Sequence, residues 1–278
     1  MKNYLSHTFN EDDFNLVSVI DELSLWAAPF GLKLLDLIKL KPNINVLDIG
    51  CGLGFPLIEI AQRLGDSAKV FGIDPWESAV ERAGLKIKTY NLSNVNIIKG
   101  VAEQLPFDNK FFDLIVSNNG INNVKDLQLS LGECARVAKP GAQFVFSLNL
   151  ERSMIEFYQA FEEVLLQNGL NEEISKMKKQ IYEKRKPLDE IKSLLYKSGF
   201  DIANIYEDSF KLKYLDAGAM FNHSLIKYWF LGGWKKILRM DDMEQIFDQV
   251  EIKLNRQAER NGEIVLTIPF VVISSFRK

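Results

Sequence analysis

"VLDIGCGLGFPLIEIA", Val46 to Ala61, packs three glycines, Gly50, Gly52 and Gly54, into five residues between an apolar run and a segment of helical period. Glycine is costly wherever backbone must be ordered, so a cluster at an element junction implies a tight turn or a close approach to the backbone. The reading is a strand ending near Asp48, a glycine turn, and a helix beginning beside Pro56, where a missing N–H costs little. Such a turn at the carboxyl end of a parallel strand is where doubly wound sheets bind ligands.

Working outward, short apolar runs alternate with helical segments from about Ile44 to Asn149. The predicted strands are "INVLDIG", "KVFGID", "VNIIKG", "FFDLIVSN" and "AQFVFSLNL". Between them, "FPLIEIAQRLG", "PWESAVERAGLKIKTYN" and "KDLQLSLGECARVAKPG" carry apolar residues at three- and four-residue spacing, and Lys139-Pro140-Gly141 reads as a stop before the fifth strand. "FDIANIYEDSFKLKYL" and "EIVLTIPFVVISSF" are expected at the remaining edge of the same sheet. The expected fold is therefore α/β: a doubly wound seven-stranded sheet, five parallel strands followed by an edge pair. The preferred organisation is a single domain over 1–278. Its decorations are an N-terminal helical cap over 1–40, a helical insertion over 151–186 and a second helical cap over 216–261, before the last strand.

Two ligand classes compete for the glycine turn. A dinucleotide fingerprint needs G-x-G-x-x-G, but counting from Gly50 puts Phe55 at the third glycine position and counting from Gly52 puts Leu57 there. The spacing present is D-x-G-x-G-x-G. With it, the sequence resembles the class I S-adenosylmethionine-dependent methyltransferases. The resemblance runs over most of the chain: Asp74 in "VFGIDP" at the tip of the second strand, "GVAEQLPFDNKFFDLIVSNNGINNV", and "ARVAKPGAQFVFS" follow in the family's order.

The resemblance implies S-adenosylmethionine as cofactor, with a site made of Asp48, Gly50, Cys51, Gly52, Gly54, Asp74, Pro75, Ala102, Glu103 and Asn118. Asp74 would accept from both ribose hydroxyls, a bidentate role suited to a carboxylate. Asp48 is expected to brace the loop amides, and Cys51 to pack rather than react. Ala102 and Glu103 would border the adenine. Relatives often carry an acid before that pair; here the residue is Val101. The implied reaction is methyl transfer by in-line displacement, releasing S-adenosylhomocysteine, and a base is needed only when the acceptor must lose a proton.

Only two histidines are present, His7 and His223. His223 is the candidate base, with a structural or surface role as the alternative. Trp26, Phe30 and Trp229, with Tyr4 and Trp234, form either an aromatic wall for the acceptor or packing between helices and sheet. Asn119, Asn122 and Asn123 either bond the acceptor or satisfy loop backbone. "SNNGINN" lacks the prolines expected of DNA and protein amide N-methyltransferases at this turn, which argues against those substrates.

Bulk properties narrow the partners. The 278 residues carry a net charge of −3, with 47% hydrophobic and 26% charged residues, so no global positive field recruits nucleic acid. "KMKKQIYEKRKP" is locally basic and reads as a solvated helix face or as a contact for an anionic acceptor or RNA. "SLIKYWFLGGWKKIL" is expected to break at Gly232-Gly233 and to form a capping hairpin or lie on a membrane surface. With two cysteines, no secretory signal pattern, no metal-ligand cluster and no transmembrane run, the expectation is a cytoplasmic protein, monomeric or homodimeric. It would act on a small-molecule acceptor. An RNA methyltransferase and a non-catalytic scaffold are the alternatives.

Overall fold

The computed structural model describes residues 10, 12–14 and 25–278; Tyr4 and His7 lie outside them. The chain divides into two compact units. Among the described residues, unit 1 comprises 10, 150–186 and 209–269; unit 2 comprises 12–14, 25–149, 187–208 and 270–278.

In unit 2, helix α1 spans Ala27–Leu37. It continues through β1 (Asn45–Ile49), α2 (Leu57–Leu64), β2 (Lys69–Asp74), α3 (Glu77–Thr89), β3 (Val95–Lys99), β4 (Phe112–Asn118), α4 (Leu127–Val137) and β5 (Ala138–Asn149). The sheet has seven strands in the order β3-β2-β1-β4-β5-β7-β6, where β6 is Phe200–Tyr214 and β7 is Ile264–Arg277. The strands β1 to β5 pair in parallel and β7 runs antiparallel to β5, with Ser147 opposite Val272. The expected doubly wound α/β sheet is the observed one. Strand order reverses at β1, which pairs β2 on one side and β4 on the other, so the crevice between the β1 and β4 turns lies at the switch point where such sheets take ligands.

The parallel strands read as nearly continuous apolar runs because helices cover both faces. Val46, Leu47, Val70, Ile115 and Val116 are fully buried. The helix α2 buries Leu57, Ile58, Ile60 and Ala61, one face of a 3.6-residue period, each large side chain contributing roughly 1.5–3 kcal/mol. The strand β6 leaves Asp201, Glu207, Asp208, Lys211 and Lys213 exposed, charge that protects a sheet edge against further pairing.

One sequence expectation is corrected here. Lys139-Pro140-Gly141 does not precede the fifth strand but lies inside it: Phe112 pairs with Ala138 and Leu114 with Gln143, so the extra residues form a bulge, with Gly141 at a φ of 77°. Pairing of Ala138 and a salt bridge from Lys139 to Asp113 at 2.7 Å hold the segment in the ladder despite its turn composition.

Unit 1 contains α5 (Ile155–Gln167) and α6 (Asn171–Lys184). The helix α7 (Leu188–Lys197) belongs to unit 2. Unit 1 resumes with α8 (Ala217–Asn222), a π-turn at Ile226–Phe230, α9 (Leu231–Lys235) and α10 (Met240–Asn261). Its core is aromatic: Trp234 stacks on Phe157 at 3.7 Å between ring centroids, and Phe221 packs against both Trp234 and Phe247. Gly232-Gly233 was expected to interrupt a helix, yet both lie within α9. Burial of Leu231 and Trp234, and a hydrogen bond from Gln180 Nε2 to the Gly233 carbonyl at 2.8 Å, outweigh a propensity cost of about 1 kcal/mol per glycine. Among the described residues, no helix is long and apolar enough to cross a membrane.

Candidate functional site

The glycine turn is built by close backbone contacts. Gly50 has a φ of 71°, and a Cβ there would stand 2.8 Å from the Gly120 Cα. Conversely, a Cβ on Gly120 would stand 2.7 Å from the Ile49 carbonyl oxygen. The turns after β1 and β4 therefore touch through two glycines, and neither accepts a side chain. Gly72, inside β2, has the same function one strand away: a Cβ there would meet Leu57 at 2.7 Å and the Cys51 sulfur at 2.8 Å. The amides of Gly50 and Cys51 donate to the Ile73 carbonyl at 2.9 and 3.2 Å, hooking the turn to the end of β2. Gly52 differs from all of these. Its φ is 48° and a Cβ there would find nothing within 4 Å, so it leaves open space at the centre of the turn.

Asp74 ends β2 and organises that space. Its Oδ2 accepts from the Gly52 amide at 2.9 Å and its Oδ1 from the Trp76 amide at 2.8 Å, leaving one lone-pair direction on each oxygen. Burial raises its pKa, while the Trp76 and Gly52 hydrogen bonds pull it back. The neighbouring Pro75 is exposed.

Asp48 behaves otherwise. It is fully buried at the end of β1, and neither carboxyl oxygen has a hydrogen-bond partner. The expectation that it braces the loop amides is corrected: Asp74 does so, because its carboxylate reaches the Gly52 amide from the adjacent strand tip. Burial pushes the Asp48 carboxyl up to about 8, the Asp74 charge adds to the rise, and the Leu57 amide, which does not reach hydrogen-bond geometry with it, opposes the rise. Cys51 is buried and its thiol pKa is raised by the same desolvation and by both carboxylates, which leaves it a packing residue.

The β4 side of the crevice is a chain of amides. Asn118 is held from both ends: its Oδ1 accepts from Ser147 Oγ at 2.8 Å and its Nδ2 donates to the Ala27 carbonyl of the α1 start at 3.1 Å. Asn119 sits at a φ of 56°. Its amide donates to Ser147 Oγ, its Oδ1 accepts from Asn122 Nδ2 at 2.6 Å, and Asn122 Nδ2 also reaches Asn149 Oδ1 at 2.6 Å. Asn123 Nδ2 lies 3.4 Å from the Asn119 carbonyl. Asn119 and Asn122 thus satisfy one another and the turn. Ser147 and Asn149 were not singled out in the sequence; a polar residue alternating with apolar ones in β5 was the available signal.

Glu103 ties two loops together, its Oε1 accepting from the amides of Lys125 and Asp126 at 2.6 and 3.1 Å. Ala102 is buried beside it and Val101 is exposed. The helix α1 enters the site through Gly31, whose missing Cβ makes room for the Phe55 ring and for Asn118 Nδ2. Trp26 is half-buried, whereas Phe30 is fully buried and spends its ring on Trp26 and Phe270, the packing role.

His223 and Trp229 belong to unit 1. His223 caps the end of α8, its ring against Tyr214, and its Nδ1 accepts from the Leu225 amide at 3.3 Å. Burial holds its pKa below the usual imidazole range. Acceptance at Nδ1 assigns the proton of the neutral ring to Nε2, so removing a proton from an acceptor would require giving up the Leu225 bond. Trp229 is exposed. The basic stretch on α6 is laced with acids: Lys176 meets Glu173, Lys178 meets Glu162 and Lys179 meets Glu183. Among the described residues there is no cluster of histidine, cysteine and carboxylate side chains suited to a metal ion.

An orphaned buried acid, an open glycine and a strand-tip carboxylate with spare lone pairs fit a ligand carrying both a cationic end and hydroxyl donors. A family model described as a methyltransferase domain matches residues 40–239. The demethylmenaquinone methyltransferase of Lactococcus lactis subsp. lactis (strain IL1403) is 31% identical over 151 residues, which cover 54% of this chain and 58% of that protein. The chain spans little more than half the length of the curated relatives it matches first. Among solved structures, the YcgJ protein of Bacillus subtilis superposes with a TM-score of 0.59 at 18% identity, covering 90% of this chain and 98% of that one. A SAM-dependent methyltransferase from Aquifex aeolicus gives 0.51 at 22% identity, covering 69% and 91%. The chain belongs to the methyltransferase domain family and has the sheet order of its class I, S-adenosylmethionine-dependent fold.

Proposed function

We propose that the protein transfers the methyl group of S-adenosylmethionine to a small-molecule acceptor, releasing S-adenosylhomocysteine. The observation that carries this reading is the buried, unpartnered Asp48 carboxyl next to the open Gly52 position and the Asp74 carboxylate. In it, Asp74 would hold the ribose hydroxyls, and Gly50, Gly52 and Gly54 would admit the amino-acid end of the cofactor. The ammonium of that end supplies the positive charge that a buried Asp48 lacks. Cys51, Pro75, Ala102, Glu103 and Asn118 complete the cofactor assignment. When bound, the cofactor supplies an electrophilic methyl group on a sulfonium.

What the chain itself contributes is position and exclusion of water. The Gly50–Gly120 contact and the amide chain through Asn118, Ser147, Asn119 and Asn122 rigidify the switch-point crevice, which suits an in-line displacement whose main demand is alignment. The reading assigns no obligatory base, in keeping with the hydrogen bond that occupies His223 Nδ1. A relative named for demethylmenaquinone supports a small organic acceptor over a polymer. The lysines of α6 that face acids add no free basic stripe for RNA.

The test is calorimetric titration with S-adenosylmethionine, S-adenosylhomocysteine and NAD. Binding of the first two at about micromolar affinity and none of NAD is expected. Absence of both sulfur compounds would overturn the reading in favour of a non-catalytic scaffold.

A further inference from the structure

Unit 1 contains a buried cation with too few acceptors. Arg185 follows the end of α6, where its amide donates to the Ile181 carbonyl, and only 6% of the residue is exposed. Its guanidinium lies against the Tyr158 ring at 5.5 Å, and Nη1 reaches the Tyr158 hydroxyl at 3.4 Å. Nε is shut off from solvent and has no partner. Among the described residues no carboxylate lies within ion-pair distance of it; the buried Glu173 of the same helix pairs with Lys176 at 3.3 Å.

The neighbours deepen the deficit. Trp234 Nε1, a donor only, gives its proton to the Tyr158 hydroxyl at 3.1 Å. The Tyr158 oxygen therefore receives two donors, and its own proton is turned away from both. Three donor groups, from Trp234, Tyr158 and Arg185, meet with a single acceptor among them, the Tyr158 oxygen. The Arg185 Nε–H is left without a partner beside a full positive charge, and the Tyr158 O–H has no acceptor among these groups. An uncompensated buried charge is strongly unfavourable, and a guanidinium is the side chain suited to bidentate recognition of carboxylate or phosphate. The surroundings are apolar and aromatic: Phe157 stacks on Trp234 and touches Tyr158 edge-on.

We propose that Arg185 and Tyr158 form an oxyanion-binding subsite in unit 1, which takes the carboxylate or phosphate of a small molecule with an apolar or aromatic body.

The test uses the full chain without S-adenosylmethionine, titrated calorimetrically with phenyl phosphate, benzoate and inorganic phosphate; the first two separate phosphate from carboxylate. At least one aromatic oxyanion is expected to bind with a dissociation constant of about 1 mM or tighter. Arg185→Gln should weaken it by at least about tenfold and Tyr158→Phe by about threefold, the first losing a charged donor and the second a neutral one. Arg185→Met should raise the melting temperature in anion-free buffer, because it removes an unpaired buried charge. Should the arginine variants fail to fold, Tyr158→Phe alone decides, since it removes one oxygen.

No binding of any of the three anions up to about 50 mM, or equal binding by wild type and Tyr158→Phe, overturns the subsite. S-adenosylmethionine titrated into the same samples keeps the two readings apart. Cofactor binding without oxyanion binding removes only the subsite, and oxyanion binding without cofactor binding removes only the methyltransferase reading.

Discussion

Around the β1 turn, backbone meets backbone: Gly50 against Gly120, the Gly50 and Cys51 amides on Ile73, the Gly52 amide on Asp74. In unit 1, side chains meet side chains: Phe157 on Trp234, Phe221 on Phe247, Arg185 on Tyr158. Each region leaves one ionisable group buried without a counter-charge, Asp48 in the first and Arg185 in the second. The contrast teaches where specificity resides. A site made of backbone contacts tolerates almost no added atoms and is written in glycines, whereas a site made of packed side chains tolerates volume-conserving exchange and has no short signature.

The strongest way to break the comparison is to add atoms where backbones touch. Gly50→Val should cost roughly 3–5 kcal/mol, because a Cβ 2.8 Å from the Gly120 backbone cannot be relieved by rotating a side chain and the positive φ adds strain. Thermal or urea unfolding would measure it, and a loss below about 1 kcal/mol would contradict the contact. Gly52→Ala sharpens the point. With nothing within 4 Å, it should cost only the left-handed backbone penalty of about 1–2 kcal/mol, while S-adenosylmethionine affinity falls by at least about tenfold.

Next comes Asp74, which braces the loop and is proposed to hold the ribose. On that proposal, Asp74→Ala should weaken S-adenosylmethionine binding by about a hundredfold or more, since it would remove the ribose acceptor and release the Gly52 amide together. Retention of full affinity by a folded variant would remove Asp74 from the site.

Asp48 yields a prediction in pH. Its folded pKa, about 8, stands above its ordinary 3.8, so the folded state holds the proton through the interval where the unfolded chain has released it. The contribution to stability is therefore fully present below about 4, declines as pH rises, and is exhausted above about 8, with a slope of up to about 1.4 kcal/mol per pH unit. Asp48→Asn should flatten that slope and be more stable than wild type at pH 8, as read from urea midpoints at pH 5 and pH 8. Identical slopes in the two proteins would refute the raised pKa. The smallest effect is expected at His223: with Nδ1 engaged by Leu225, His223→Ala should lower turnover by less than about threefold and leave cofactor binding intact, where a catalytic base would cost a hundredfold or more.

Much of unit 2 was legible in the chain. The apolar runs at 45–49, 69–74, 95–99 and 112–118 are bounded by turn residues, so period and punctuation alone specify β1 to β4. The glycine spacing marked the turn proposed to admit the cofactor, and the choice of Asp74 followed from the end of β2. The partners of those groups were not legible. Gly120, Gly72 and Gly31 act through contacts with residues distant in sequence, and nothing local marks them out from other glycines of loop, strand or helix; for Ser147 the alternation in β5 was a signal, but its partner Asn118 lies in another strand. Lys139-Pro140-Gly141 and Gly232-Gly233 misled for the same reason: both obey local turn chemistry that pairing with β4 and the burial of Trp234 override.

By itself, then, the sequence determined the order of the elements, the sheet class and the position of the glycine turn, because periodicity, glycine and proline act over a few residues. Only the tertiary structure decided which buried groups are satisfied. Asp74 braces the loop and Asp48 stands alone, and Arg185 lies buried while Lys176, Lys178 and Lys179 of the same basic run face acids. Desolvation and hydrogen-bond satisfaction depend on what surrounds a side chain in space, and no window along the chain contains that information.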